Sequence, residues 1–472
     1  MTIIRVKHPD SYLQERTYIY DVVLGDFLGL EYVLERDDTQ VTSISLIGDQ
    51  QERALHVEDT LFRLPFDRWM TVGSLPGEHV EVFATPDRLM QLYPLKTSIP
   101  VMYGRCLEGG SYYSEEPDGE ARLTVDVFGS AFFMLARLEE LIVTSRDQHG
   151  RFPAHLSTAS RAGFLDRPIV NECVDLLWSA ILRQWPRLRR RRRTYRVELS
   201  HDVDHPWGAC MDSWADAVRG CAGDVLKRRD LALALRRISS RAVPGKVGFT
   251  LDPYNTFDFL MSTDEAAGLR GSFYFMACSK RNIFDGDYQI RHPEIRRLMR
   301  AIHARGHNIG FHGSYDTIDQ LDMAIEQIGR LRDVALEEGV DLHRFGGRQH
   351  YLRWRCPDTW RIWEAIGADY DSSVGFADIA GFRAGTCYEY KAFDAVSRKP
   401  LELVERPLIV MDATLTSAQY MNLSKSAACE YVSRLANECR QHGGVMTLLW
   451  HNSSLLSLVD REFYRTVVDC IV

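Results

Sequence analysis

Short apolar runs alternate with amphipathic segments over the second half of the chain, from about Arg196 onward. The runs VELSHDV, GSFYFMAC, HNIGF and VMTLLW have the length and composition of buried β-strands, and the longer segment ELVERPLIVMDATL is also predicted as one strand. Segments such as HPEIRRLMRAIHARG carry apolar residues at helical spacing instead. Regular alternation of strands and helices predicts parallel strands covered by helices, as in an α/β barrel. In such folds the functional residues lie at the carboxyl ends of the strands.

The first part of the chain mixes shorter apolar runs with charged loops, which predicts a mixed α+β domain. Two helices are predicted there, over 127–143 and 167–185. A run of five arginines then begins at Arg189 and ends at Arg193. We therefore predict a companion domain over 1–190 and an α/β barrel over 191–472. Two interpretations of the arginine run stay open, a peripheral contact with phosphate or a membrane surface and a solvated linker.

The overall charge of −8 makes nucleic acid an unexpected main partner, because phosphate binding favours a basic surface. The N-terminus lacks the apolar core of a secretory signal. The most hydrophobic window, 127–143, contains charged residues, so no transmembrane segment is expected. Ten scattered cysteines without a C-x-x-C pair indicate reduced thiols. Together these features predict a cytoplasmic protein.

The first predicted strand end carries two aspartates, Asp202 and Asp204. Residues i and i+2 of a strand share a face, so both carboxylates can point into one site. Two close carboxylates repel each other unless a cation or a shared proton intervenes, which favours a divalent metal. Another strand ends in His312, and helical spacing would put Asp316 on the same face. Imidazole and carboxylate are ordinary zinc ligands, although Asp316 could instead cap the following helix.

Two further strand ends add basic side chains. The strand RFGGRQHYL carries Arg348 and His350, and an arginine beside a carboxylate lowers its pKa and orients it. His451 directly follows the apolar run 446–450, where a histidine suits proton transfer near neutral pH. Four strand ends thus deliver a carboxylate pair, histidines and an arginine to one predicted rim.

The ordered set of motifs resembles the polysaccharide deacetylases of the NodB-homology type, carbohydrate esterase family 4. The five motifs of that family resemble, in order, residues 201–204, 312–316, 348–351 and 370–373 and the sequence LLWHNS. The resemblance covers the chain from about Arg196 to its end. The phrases GHNIGFHGSYDT, YDSSVGF and GFRAGTC are similar to a branch found with bacterial surface-polysaccharide biosynthesis, in which an N-terminal domain precedes the deacetylase-like domain. The fold that it implies is a distorted parallel (β/α) barrel.

The resemblance implies removal of an acetyl group from an N- or O-acetylated sugar or polysaccharide intermediate. It also implies a divalent metal, with Zn²⁺ as the expected ion. In this hypothesis Asp202 is the base, tuned by Arg348, and His451 is the acid, oriented by Asp371. The implied residues are Asp204, His312 and Asp316 for the metal, Asp202, Arg348, His451 and Asp371 for catalysis, and Tyr315, His350 and Arg383 for the substrate.

The sequence departs from the family pattern at three positions. Asp316 replaces the second metal histidine, Gly313 stands where Ser or Thr is usual, and His350 replaces a proline. His201 and His205 flank the aspartates and could complete the metal site. Two alternatives to the deacetylase therefore stay open. One is a catalytically silent sugar-binding or scaffolding protein with the same barrel, and the other is a metal hydrolase of another non-peptide C–N bond.

Overall fold

The computed structural model describes residues 3–77, 79–117, 119–210, 213–226, 228–243, 245–278, 282–286 and 288–472. The strands of the N-terminal part are β1 (Ile3–His8), β2 (Glu31–Arg36), β3 (Thr42–Leu46), β4 (Ala54–Val57), β5 (Glu81–Ala84), β6 (Ser98–Val101), β7 (Tyr113–Glu115) and β8 (Ala121–Leu123). Its helices are α1 (Leu13–Tyr20), α2 (Asp87–Met90), α3 (Val127–Leu135), α4 (Leu138–Ile142), α5 (Thr158–Arg161) and α6 (Ile169–Gln184). Six strands form a mixed sheet in the order β2-β1-β3-β4-β8-β7, and β5 pairs with β6.

A second, larger sheet occupies the C-terminal part. Its strands are β9 (Arg196–Val203), β10 (Ser272–Phe275), β11 (Asn308–Gly313), β12 (Gly346–Gln349), β13 (Tyr370–Asp371), β14 (Tyr390–Asp394), β15 (Lys399–Glu405), β16 (Val410–Met411) and β17 (Val445–Leu449). The helices are α7 (Trp214–Leu226), α8 (Leu231–Ala242), α9 (Lys246–Leu251), α10 (Phe257–Ala266), α11 (Pro293–Ala304), α12 (Leu321–Glu337), α13 (Asp358–Ala365), α14 (Asp412–Thr416), α15 (Lys425–His442) and α16 (Leu458–Ile471). The strand order is β14-β15-β13-β12-β11-β10-β9-β17-β16.

Local sequence explains where several helices begin and end. The Ser424 hydroxyl caps α15, which ends at Gly443 in the left-handed conformation that glycine adopts without strain. Ser457 and Asp460 form a reciprocal capping box at the start of α16. The single helix predicted over 127–143 is two helices, because Arg137 adopts a positive φ of 52° between α3 and α4.

Parallel pairing dominates the C-terminal sheet, and only β14 runs antiparallel to its neighbour. The segment ELVERPLIVMDATL, predicted as one strand, is divided between β15, which pairs with β13, and β16, which pairs with β17. Only residues 406–409 separate β15 from β16 along the chain, so the last Cα atom of β15 and the first Cα atom of β16 are at most about 18 Å apart. The Leu408 N–H donates across this gap to the Val374 carbonyl at 3.1 Å.

No backbone ladder closes the gap among the residues that the structure describes. Pro407 lies in the crossing and has no N–H for a ladder. The C-terminal sheet is therefore a curled, open α/β half-barrel with one antiparallel edge strand, and a full distorted parallel barrel stays a prediction.

The N-terminal part packs against this sheet through one continuous hydrophobic core. The Tyr18 hydroxyl donates to the Lys391 carbonyl of the edge strand β14 at 2.7 Å. A buried ion pair, Glu140 Oε2 to Arg383 Nη2 at 2.6 Å, joins the two parts below the surface. The two sheets fall on either side of the predicted boundary at residue 190, but their shared core means that separate domains stay a prediction.

The arginine run lies at the junction of the two parts, and several of its side chains have partners within the chain. Arg190 Nη1 is 2.6 Å from Asp175 Oδ1, and the Arg193 guanidinium lies 4.2 Å from the ring of Tyr388. Arg189 and Arg192 are exposed. The phosphate contact expected for this run stays a prediction. In the described part of the chain, every helix is too short or too polar to cross a bilayer.

Candidate active site

The end of β9 delivers two aspartates to one side of the sheet, as its alternation predicts. His312 Nε2, at the end of β11, lies 3.7 Å from Asp202 Oδ2 and 3.1 Å from Asp204 Oδ1. His201 points to the other side, where its Nε2 is 3.0 Å from Asp264 Oδ2 and fully buried. His201 is therefore a satisfied core histidine and does not complete the metal site.

Asp204, His312 and His350 form a compact cluster of metal-ligand type. One ligand atom from each lies within 4.8 Å of the others, and His350 Nε2 is 3.6 Å from Asp204 Oδ1. His312 Nδ1 faces the Arg348 carbonyl at 2.7 Å. Because a carbonyl only accepts, Nδ1 donates to it, and Nε2 is the ring nitrogen that faces the cluster.

Two atoms of this cluster test whether a cation fits. His312 Nε2 and Asp204 Oδ1 are buried and make no hydrogen bond, although they lie side by side. Burial alone would raise the pKa of Asp204, but His350 and His312 hold it well below its ordinary value, so the carboxylate is charged. Orphaned nitrogen and oxygen donors with a negative charge fit a divalent cation such as Zn²⁺.

Asp285 orients the third member of the cluster. Its Oδ1 lies 3.1 Å from His350 Nδ1 and also accepts the Tyr315 backbone N–H at 2.7 Å. Burial opposes ionisation of His350, but Asp204 and Asp285 raise its pKa to about 9. A carboxylate behind a ligating histidine fixes the ring and raises its basicity, so Asp285 has the position of an outer-shell residue.

Asp202 is held on the other side of the cluster by Arg348. Arg348 Nη1 donates to Asp202 Oδ1 at 2.8 Å, and both side chains are buried. Arg348 is itself fixed by Ser200 Oγ at 3.0 Å and by the Ser372 carbonyl at 2.9 Å. One oxygen of Asp202 is therefore committed to the arginine, while the other faces the cluster.

His451 stands beside the cluster and is oriented by Asp412. His451 Nδ1 is 2.7 Å from Asp412 Oδ1, and His451 Nε2 is 3.5 Å from Asp204 Oδ2. Burial lowers the pKa of His451, but the Asp412 carboxylate outweighs it and raises the pKa to about 10. The imidazole is therefore charged at neutral pH, with Nε2 directed into the site.

Asp371, the residue expected to orient His451, is placed elsewhere. It is buried and accepts a hydrogen bond from the Ser373 hydroxyl, and burial raises its pKa to about 7. The structure thus corrects the expected partner of His451 from Asp371 to Asp412. Asp412 directly follows β16, so the strand-end rule would have found it if the break after β15 had been recognised.

Asp316 is not brought to the cluster. Its side chain is 49% exposed, and its Oδ2 accepts from Asn282 Nδ2 at 2.9 Å. His312 still belongs to the extended strand β11, and a short 3₁₀ helix begins only at Tyr315. The expected i, i+4 geometry of an α-helix therefore does not apply, and His350 takes the place that the sequence assigned to Asp316.

Arg383 is not available to a substrate anion. Its guanidinium is buried and bonds both oxygens of Glu140, at 2.9 and 2.6 Å, and the Gly375 carbonyl at 2.8 Å. These contacts engage all three guanidinium nitrogens, so the structure corrects the expected role of Arg383 from substrate binding to joining the two parts of the chain.

Tyr315 belongs to an aromatic rim beside the cluster. Its ring centroid is 4.5 Å from that of Phe284 and 5.5 Å from that of Tyr351, which in turn lies 4.7 Å from His350. Tyr351 has a φ of 61°, a costly backbone conformation that turns the chain directly after His350. His149 Nδ1 is 3.1 Å from the Tyr315 hydroxyl, so the N-terminal part also contributes to the rim.

Three residues of the site were not found from the sequence. Asp412 lay inside a segment predicted as a single strand. Asp285 and His149 lie in irregular loops, where no periodicity indicates the direction of a side chain. Tertiary contacts, which a sequence pattern does not record, bring such loop residues next to the strand ends.

Fold and site together define an α/β protein with a carboxylate–histidine cluster at the carboxyl edge of a curled parallel sheet. A family of unknown function, DUF7033, matches residues 4–186, which is the part that precedes β9. No curated protein matches the chain.

Three solved structures are similar to part of this chain. A candidate polysaccharide deacetylase from Mycobacterium smegmatis has a TM-score of 0.38 and 19% identity, with 59% of this chain and 83% of that chain covered. Puue allantoinase and a polysaccharide deacetylase assigned in Pseudomonas aeruginosa PAO1 each have a TM-score of 0.37 and 13% identity. Each match covers 59% of this chain and 84% of the other chain.

Proposed function

We propose that the protein is a metal-dependent hydrolase that removes an acetyl group from an N- or O-acetylated sugar. The observation that carries the proposal is the convergence of three groups at one sheet edge. They are a ligand cluster with two orphaned atoms, a carboxylate fixed by an arginine, and a charged histidine fixed by a carboxylate. Together they can supply the metal site, the general base and the general acid of a metal-assisted acyl hydrolysis.

The cluster residues Asp204, His312 and His350 would hold the cation. A divalent metal held there supplies a Lewis acid that acidifies water and polarises the acetyl carbonyl. Zn²⁺ suits this mixture of imidazole and carboxylate donors. Asp285 supports His350 from behind, as an outer carboxylate does for a ligating histidine.

Asp202 and His451 divide the proton transfers between them. Asp202 has one oxygen free of Arg348 and directed at the cluster, so it takes the proton of the attacking water. His451 is charged and gives its Nε2 proton to the nitrogen or oxygen of the sugar as the acyl bond breaks. The products are acetate and the free amine or alcohol.

The rim gives the substrate a surface of suitable chemistry. Tyr315 and Tyr351 offer aromatic faces and hydroxyls, which suit the apolar faces and hydroxyl groups of a sugar ring. His149 and Arg151 reach this rim from the N-terminal part, where Arg151 Nη1 donates to the Tyr351 carbonyl at 3.1 Å. The N-terminal part thereby contributes to the substrate surface.

The catalytically silent alternative loses its main support. It rested on Asp316 in place of a metal histidine, but His350 stands 3.6 Å from Asp204 and completes a three-residue cluster. No observation on the described residues favours a non-sugar substrate over an acetylated sugar, so the latter is the proposal.

The test is acetate release from N-acetylated amino sugars and their oligomers, with O-acetylated sugars and non-sugar amides as further substrates. Zinc-loaded protein should release acetate, and Asp202→Asn should lower the rate by at least about a hundredfold without changing the circular dichroism spectrum. Asp316→Asn is the matched control, because it makes the same chemical change outside the cluster. Undiminished release by Asp202→Asn would remove Asp202 from the mechanism, and hydrolysis of only non-sugar amides would overturn the substrate assignment.

A further inference from the structure

The segment between β9 and α10, which contains α7, α8 and α9, is unusually rich in exposed apolar side chains. Among the described residues of the chain, 22 large hydrophobic residues are exposed, and eight of them fall between positions 214 and 247. They are Trp214, Val218, Val225, Leu226, Leu231, Leu235, Val243 and Val247. Scattered exposed apolar residues are ordinary, but a concentration of them marks an interaction surface.

The apolar residues form a stripe on each of the two longer helices. At 100° per residue, Trp214, Val218 and Val225 lie within about 40° of one another around α7. Leu231 and Leu235 are likewise about 40° apart around α8. Neither stripe packs into the core, because all five residues are exposed.

The two stripes lie on the same side of an antiparallel helix pair. Trp214, at the start of α7, is 5.2 Å from the guanidinium of Arg241 near the end of α8, and Arg237 Nε is 2.7 Å from Asp224 Oδ2 midway. On each of the two helices, one face contacts the other helix of the pair. Viewed along the chain direction, the apolar stripe lies about 100° further around the helix than this contact face, with the same sense of rotation in α7 and α8. For antiparallel helices, equal rotation places both stripes on one side of the pair.

The same segment is basic. Residues 213–251 contain eight Lys or Arg against three Asp, a net charge of +5 in a chain whose overall charge is −8. Asp224 is buried in ion pairs with Arg228 and Arg237, while Arg229 and Lys246 are exposed. Apolar stripes flanked by cations complement an anionic lipid surface, where acyl chains lie beneath phosphate groups.

The segment is anchored next to the candidate active site. The buried Asp252 carboxylate accepts the N–H groups of Gly208 at 3.1 Å and Cys210 at 2.9 Å, which ties the two ends of the segment together. Asn452, the neighbour of His451, donates to the Tyr254 carbonyl at 2.8 Å. A partner surface that contacts α7 and α8 would therefore lie next to the sheet edge that carries the candidate active site.

We propose that the α7–α9 segment binds the surface of an anionic lipid bilayer. The apolar stripes enter the boundary between headgroups and acyl chains, and the flanking cations contact lipid phosphate. This mode of binding places helices in the plane of the interface and needs no membrane-spanning helix. The proposal is independent of the reaction that the site carries out.

The test is co-sedimentation of the full chain with phosphatidylcholine vesicles that contain either no or one-third phosphatidylglycerol. We expect binding to the anionic vesicles, weakened by salt, and little binding to the neutral ones. All nine tryptophans are described, and eight of them are buried, whereas Trp214 is 51% exposed. Binding should therefore shift the fluorescence of the wild type to shorter wavelength, and Trp214→Phe should lose that shift.

Leu231→Ser with Leu235→Ser should lower the vesicle partition coefficient by about tenfold or more, because these two side chains of the α8 stripe are 66% and 68% exposed in the free protein. Leu336→Ser is the matched control, since Leu336 is 81% exposed at the end of α12, outside the segment. The control should bind vesicles as the wild type does.

Three results would overturn the proposal. One is the absence of binding to anionic vesicles. Another is equal binding by the double leucine variant, above all if Arg189→Ala with Arg192→Ala abolishes binding instead. The third is that the wild type forms a dimer, the leucine variant is a monomer, and neither protein binds vesicles. The stripes would then be covered by a second copy of the chain.

Discussion

His350→Ala and Asp316→Ala separate the ligand set of the structure from the set expected from the sequence. His350 Nε2 is 3.6 Å from Asp204 Oδ1, within the cluster, whereas the carboxylate of Asp316 is half exposed and bonds Asn282. We therefore expect His350→Ala to lose zinc and Asp316→Ala to keep it. Both changes truncate a side chain to the same methyl group, so only position distinguishes them.

The expected loss of zinc affinity follows from the contribution of one ligand to the binding free energy. Structural zinc sites with four ligands bind with about 10–16 kcal/mol, so one ligand accounts for about 3 kcal/mol, or about a hundredfold in affinity. Asp285→Ala, which removes the carboxylate behind His350, should cost about ten- to a hundredfold. Asp316→Ala should stay within about threefold of the wild type, since an exposed side chain outside the cluster contributes little.

The assay is competition for zinc with a chromophoric chelator at fixed pH, together with metal content after dialysis. Thermal unfolding with and without added zinc gives a second readout, because a ligand that binds only the folded state stabilises it by RT ln(1 + [L]/Kd). Circular dichroism of each metal-free variant checks the fold. Loss of zinc in Asp316→Ala alone would refute the ligand set and restore the expected one, and equal loss in both variants would refute the exclusion of Asp316.

Three further predictions follow from the contacts described above. Asp412→Asn should lower the pKa of His451 from about 10 toward its ordinary value. Because His451 acts in its protonated form, the alkaline limb of the pH–rate profile should shift to lower pH, whereas Asp371→Asn should leave that limb unchanged. Glu140→Gln should destabilise the protein by about 3–5 kcal/mol in urea unfolding, because it leaves buried Arg383 without its ion-pair partner and breaks the ion pair of buried Arg137. His149→Ala should raise KM about threefold to tenfold with a smaller change in kcat, and a fall in kcat alone would place His149 outside the substrate surface.

The strand-end rule predicted much of the site because parallel strands deliver successive segments to one edge. Asp202, Asp204, His312, Arg348 and His451 all lie at or just beyond the ends of predicted strands, and the structure brings all five together. The same period of two along β9 turns His201 outward to Asp264, although His201 was considered as a further metal ligand. These positions depend on local geometry that a sequence records directly.

The residues that were missed depend on geometry that a sequence does not record. One continuous apolar segment concealed the crossing from β15 to β16, and with it the strand end that carries Asp412. Asp316 was misplaced because the chain after β11 forms a 3₁₀ turn instead of an α-helix. Asp285 comes from a loop whose position is set by its own carboxylate bonds to His350 and the Tyr315 backbone, which are tertiary contacts.

The open sheet and the N-terminal part explain each other. A curled sheet that stops short of closure leaves unpaired backbone groups and a gap on one side, and both are unfavourable when exposed. The N-terminal part covers that side, where Tyr18 bonds a carbonyl of the edge strand β14 and Glu140 neutralises Arg383 within the joint core. Because it is fixed there, its loop can reach the site and place His149 against Tyr315. The contacts that compensate for an unclosed sheet are therefore also what give the N-terminal part a position in the substrate surface.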